Sequence, residues 1–187
     1  MKLSQSATKP ERRTNEPFGP DLANGHQAGP MPYQYDDGGR AAAGYKGSTR
    51  DCVCRSISIA CGLPYQVTYN DLNELAQTER ITKRRRRKSN ARTGVHNVTT
   101  RKYLARLGWK WVPTMHVGQG CKVHLRSYEL PSGRLIVQVS RHLVAVIDGI
   151  IHDTHDCSSG GDRSVYGYYK RDESDRSDYL TVVPCEE

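Results

Sequence analysis

Cys52, His142 and Asp153 are three residues whose types and order suit nucleophilic catalysis. The chemistry would be acyl transfer through a thiolate. Asp51 is a good N-cap type, so Cys52 opens a predicted helix that runs to Cys61 and stops at Gly62. Unpaired N–H groups and the positive end of the helix dipole stabilise a thiolate there. The same N–H groups can hold a developing oxyanion. His142 would take the thiol proton and later deliver it to the leaving group. Asp153 would fix the tautomer and orientation of the imidazole.

The histidine and the acid are positioned by a predicted hairpin, Ser140 to Asp153. Asp148-Gly149 is its two-residue turn, because both residues tolerate a positive φ. That register sets Ile147 opposite Ile150, Val146 opposite Ile151, Ala145 opposite His152 and Val144 opposite Asp153. Alternation along each strand then puts His142, Val144 and Asp153 on one face and turns His152 away. Diagonal neighbours on a face lie roughly 7–8 Å apart, within reach of an imidazole meeting a carboxylate. Asp156 takes the acid's place if the strand bulges.

The surrounding pattern is α+β, helices first and an antiparallel sheet after. Cys54, Ile57 and Cys61 recur at helical spacing, and Cys54 falls about 200° around the helix from Cys52, on the packing side. Pro64 opens a second helix to about Gln77, and Thr99 or Thr100 caps a third that stops at Gly108. Strands are expected over 109–114, 134–139, 142–147, 150–154, 164–169 and 179–183. Residues 1–44 are rich in Pro, Gly, Asn and Gln without periodicity, an extended arm suited to an assembly partner. The remaining 45–187 form the domain, with a basic loop over 80–97 inside it.

The stretches Asp51-Cys52-Val53-Cys54-Arg55-Ser56-Ile57-Ser58-Ile59-Ala60 and Ser140-Arg141-His142-Leu143-Val144-Ala145-Val146-Ile147-Asp148-Gly149 resemble the papain-like cysteine peptidase superfamily, closest to its compact bacterial and phage members. The likeness spans about Tyr45 to Tyr169. It implies N-terminal helices packed on an antiparallel sheet, with Cys52, His142 and Asp153 matching nucleophile, base and orienting acid. It also implies a protein or peptide substrate and no cofactor. The chain departs from that pattern before the nucleophile, where Lys46-Gly47-Ser48-Thr49-Arg50 stands in place of the usual oxyanion Gln.

Charge points to a second class of function. The chain carries 28 Lys and Arg against 20 Asp and Glu. Arg80–Arg92 holds eight of the basic residues and no acid, so the rest is balanced. Lys83, Arg84, Arg85, Arg86, Arg87 and Lys88 are therefore the candidate polyanion site, sequence-independent because no aromatics are interleaved. A solvated loop is the plainer reading. The competing function is a non-catalytic phage virion or binding protein on the same scaffold, using the arm and the tract as adhesive elements.

Six scattered cysteines without an apolar leader read as reduced thiols rather than disulfides. No run approaches a membrane span. The expected setting is the cytoplasm of a bacterial host, or a virion, without secretion by a signal peptide. A zinc site from His152, His155 and Cys157 with Cys52 and Cys54 is weak, since a one-residue Cys gap in a helix separates the thiols, so no metal is expected. Gly118-Gln119-Gly120-Cys121 reads as a turn, and Trp109, Trp111 and Tyr128 as core or groove wall. His116 and His124 have no evident partner.

Overall fold

The computed structural model describes residues 30–83 and 85–171. Arg84, the first 29 residues of the expected arm and the expected strand Tyr179–Val183 lie outside the described residues. Within them the fold is α+β. Helices α1 (Cys52–Cys61), α2 (Tyr65–Gln77) and α3 (Asn97–Arg106) precede most of a six-stranded sheet. Its strands are β1 (Tyr33–Tyr35), β2 (Trp109–Pro113), β3 (Arg134–Val139), β4 (His142–Ile147), β5 (Ile150–Asp153) and β6 (Val165–Arg171). Their order across the sheet is β1-β5-β4-β3-β6-β2.

Both faces of the central strands are covered. Ile136, Leu143, Ala145 and Tyr169 meet Cys54, Ile57, Leu72 and Leu104 of the helices. On the other face Leu135, Val137, Val139, Val144, Val146 and Ile151 pack under Leu125, Leu130 and Met31. Two-sided burial explains why β3 and β4 read as nearly continuous apolar runs instead of alternating ones. Each such side chain is worth about 1.5–3 kcal/mol when fully buried.

The hairpin has the expected register: Ala145 pairs with His152, Val146 with Ile151 and Ile147 with Ile150. Asp148 and Gly149 both take positive φ, 48° and 78°, the pattern of a type I′ turn. A second tight turn, Ser140-Arg141, joins β3 to β4, where Val139 pairs with His142.

The expectation of an arm through residue 44 is corrected. Tyr33–Tyr35 adds to the sheet edge parallel to β5, and Met31 is buried beneath the far face. Three residues with exposed side chains give neither an alternating nor an apolar signal, so composition alone could not reveal the strand. The following turn rests on α1 so closely that a Cβ on Gly38, at φ 65°, would lie 3.1 Å from the Arg55 carbonyl oxygen.

α3 is capped at His96, three or four residues before the expected cap at Thr99 or Thr100. Thr99 is drawn away from capping because its hydroxyl donates to Glu79. Glu79 also accepts from the Ser89 N–H at 2.7 Å and from the Ser89 hydroxyl. Lys88 Nζ donates to the Gln77 carbonyl at 2.7 Å. The basic tract is thus pinned at its far end, while Lys83 and Arg85–Lys88 are exposed.

Candidate active site

The first residue of β4 and the last of β5 meet at one end of the sheet, where α1 begins. There His142 Nε2 hydrogen-bonds Asp153 Oδ2, and the Cys52 sulfur lies near enough to His142 for the imidazole to draw its thiol down. With Nε2 committed to the carboxylate, Nδ1 is the ring nitrogen left for the thiol. Cys52 is half-buried and opens onto a cleft of ≈ 1010 Å³ that His142 also lines. The three residues singled out by type and order are therefore brought together.

Electrostatics separates Cys52 from its neighbours on α1. Burial pushes its thiol up, but the His142 hydrogen bond and charge, the Leu143 N–H and Arg55 outweigh burial and hold it below an ordinary thiol. At Cys54 and Cys61 burial outweighs the nearby hydrogen bonds and cations and pushes each thiol up to about 12. For His142, burial favours the neutral ring, yet Asp153 and the Cys157 and Cys52 sulfurs prevail and push it up to about 11. Asp153 is likewise drawn up by burial and held lower by His142, the Thr154 N–H and Arg55. These shifts run toward a thiolate–imidazolium pair backed by a carboxylate.

Asp51 does not do what its position suggests. Its carboxylate makes no cap hydrogen bond. It is wholly buried and receives Arg55 on Oδ1, the Tyr65 hydroxyl at 2.6 Å on Oδ2, and Arg40 Nε at 3.1 Å. Arg55 then spans to Asp153 Oδ1 at 3.1 Å. The local signal for a cap was real in type, but a buried arginine four residues along competes for the carboxylate and wins. The first N–H groups of α1 thereby stay uncapped beside the cleft.

Arg55 and Gln138 are site residues that sequence reasoning missed. Arg55 is buried and ties Asp51 to the acid of the centre. Gln138 lines the cleft from β3, half-buried, on the sheet face shared with Ile136 and Leu143. An Arg three residues after Cys52 and four after Asp51 was the only hint available, since its second carboxylate, Asp153, lies 98 residues further along.

The zinc set weighed from sequence is not assembled. His152 turns to the opposite face and approaches Asp36 at 3.4 Å, and Cys54 is sealed under Tyr65. The nearest metal-like grouping is instead His142, Asp153 and His155, with donor atoms within 4.8 Å of one another. Arg55 on one oxygen of Asp153 and the imidazolium on the other already neutralise that carboxylate, which disfavours a cation there.

Elsewhere, Trp109 is core, while Trp111 stacks on Tyr169 at 4.7 Å and lies outside the cleft. Tyr128 is exposed beside Arg126. Gly118 and Gly120 both take positive φ in a turn. His124, without an evident partner in sequence, binds Glu129 through its N–H at 2.6 Å. Asp156 caps the Ser158 N–H at 2.8 Å and leaves the acid's place to Asp153. No described helix is long and apolar enough to cross a membrane.

No family model matches this chain, and the comparisons with curated proteins and with solved structures likewise return no match.

Proposed function

We propose that this protein is a papain-like thiol hydrolase that cleaves an amide through a Cys52 acyl-enzyme. The observation that carries the reading is His142 held between the Asp153 carboxylate and the Cys52 sulfur at the mouth of a helix and the wall of an open cleft. Order along the chain and the helix-on-sheet setting agree with it. The parallel edge strand and the absent upstream Gln are departures that leave the reacting groups in place.

The sulfur attacks the carbonyl carbon, and the π electrons move to oxygen as an oxyanion. The uncapped N–H groups of α1 face that charge, and Gln138 supplies a further amide donor in the cleft. His142 passes its proton to the amide nitrogen as the C–N bond breaks, and the amine departs, leaving a thioester. Water then attacks the thioester, His142 takes its proton, and the C–S bond breaks to release acid and thiolate. Asp153 keeps the ring oriented throughout, and Arg55 is a positioning residue acting through Asp153.

The test is iodoacetamide labelling followed by intact-mass and peptide mapping between pH 5 and 9, alongside turnover of a fluorogenic peptide pool. Cys52 is expected to label at pH 6–7 well ahead of Cys54 and Cys61, with an inflexion that moves up in His142→Ala. Turnover is expected to vanish in Cys52→Ala. Labelling of Cys52 no faster than Cys121, or turnover that survives Cys52→Ala, overturns the proposal.

The exposed Lys83 and Arg85–Lys88 tract favours a second reading, polyanion contact by a binding protein. Salt-sensitive heparin retention that is lost on neutralising the tract, in a protein without turnover, supports that alternative.

A further inference from the structure

We propose that the group cleaved at this centre lies in an acidic polypeptide segment, whose carboxylates are received by Arg50 and Arg141. The inference rests on the Cys52 hydrolase reading and names its substrate class. Four arginines, Arg40, Arg50, Arg55 and Arg141, line the cleft, and among the described residues no aspartate or glutamate does.

Two of the four are already neutralised. Arg40 pairs with Asp51 at 3.1 Å and donates to the Gly47 carbonyl at 2.7 Å. Arg55 lies between Asp51 and Asp153. Arg50 and Arg141 are different: both are exposed, and neither side chain makes an ion pair or hydrogen bond among the described residues. They leave the cleft walls with two uncompensated positive charges. Guanidinium groups receive carboxylates in bidentate geometry, which gives direction as well as attraction.

Both stand beside the reacting residues in the chain and line the same cleft. Arg50 stands two residues before Cys52, its backbone fixed by donation to the Arg92 carbonyl at 2.9 Å. Arg141 directly precedes His142 in the turn that starts β4. Its φ of 58° is a conformation in which glycine or asparagine would cost less. A long cation stands there despite that cost. Carboxylates on either side of the scissile amide would thus each meet an arginine.

A polypeptide is favoured over a nucleic acid by the make-up of the cleft. Val53, Val95, Val139 and Leu143 share its walls with the arginines, while Lys83 and Arg85–Lys88 of the basic tract are not part of its lining. A phosphate-tracking groove would carry its cations in a run along the path.

The experiment compares two alkylating agents of the same chemistry and opposite charge character, neutral iodoacetamide and anionic iodoacetate, on the full chain. The iodoacetate-to-iodoacetamide rate ratio at Cys52 is expected to fall about threefold or more in Arg50→Gln and in Arg141→Gln, and further in the double variant. It should also fall as salt screens the charges, and Lys122→Gln, an exposed charge outside the cleft, should leave it unchanged. A blocked hexapeptide with two central glutamates should protect Cys52 from iodoacetamide at least tenfold better than its glutamine or lysine counterparts.

A ratio insensitive to both variants overturns the inference, as does equal protection by all three peptides. Protection by an oligothymidylate and not by the glutamate peptide overturns it in favour of a nucleic acid. These failures are separate from failure of the hydrolase reading, which shows as a Cys52 slow toward both reagents.

Discussion

Arg55→Met removes the cation that sits between two buried carboxylates and keeps most of the side-chain volume. Arg55 is 7 % exposed, Asp51 0 % and Asp153 3 %, so the charges left behind are poorly hydrated. Deleting one partner of a buried pair costs about 3–5 kcal/mol. Here Arg40 and the Tyr65 hydroxyl remain on Asp51, and His142 remains on Asp153. The lower end, about 3 kcal/mol, is therefore expected, a fall of about 6–12 °C in Tm for a domain of this size.

The pH dependence gives a sharper check. Asp153 is raised by burial but held below its ordinary 3.8 by His142, Thr154 and Arg55. A carboxyl held low in the folded state adds stability that is complete above its unfolded pKa and is lost as pH falls through its folded pKa. Arg55→Met weakens that hold, so the wild-type advantage should be full at pH 7 and narrow below about pH 4. Urea unfolding followed by circular dichroism at pH 7 and pH 3.5 measures both quantities. A gap under about 1 kcal/mol at pH 7 would refute the reasoning. So would a gap of the same size at both values.

Three further outcomes are expected. Tyr65→Phe removes the 2.6 Å hydrogen bond to Asp51 and should cost about 1.5–3 kcal/mol by the same unfolding assay. Gly167→Ala should destabilise by about 1–3 kcal/mol, because a Cβ there would run into the Trp111 ring and fall 2.7 Å from the Val112 carbonyl oxygen; a crystal structure or tryptophan fluorescence should show the ring displaced. Glu79→Gln loosens the anchor on Ser89 and Thr99, so limited trypsin digestion should cut within residues 85–88 several-fold faster than in the wild type, while urea stability changes far less.

Much of this centre was legible in the sequence, for a physical reason. A two-residue Asp-Gly turn fixes register, register fixes which side chains share a face, and so His142 and Asp153 could be paired from spacing alone. The helix boundary at Gly62 followed from left-handed φ in the same local way. What local pattern could not supply was competition between partners distant in the chain. Asp51 has the side chain of a cap, yet Arg55, Tyr65 and Arg40 claim it once folding brings them together. Tyr33–Tyr35 becomes a strand only because β5 offers an open edge. Periodicity and turn chemistry act within a few residues, so sequence determined the elements and the candidates they carry. Long-range burial and charge pairing decided which neighbours each buried carboxylate would take.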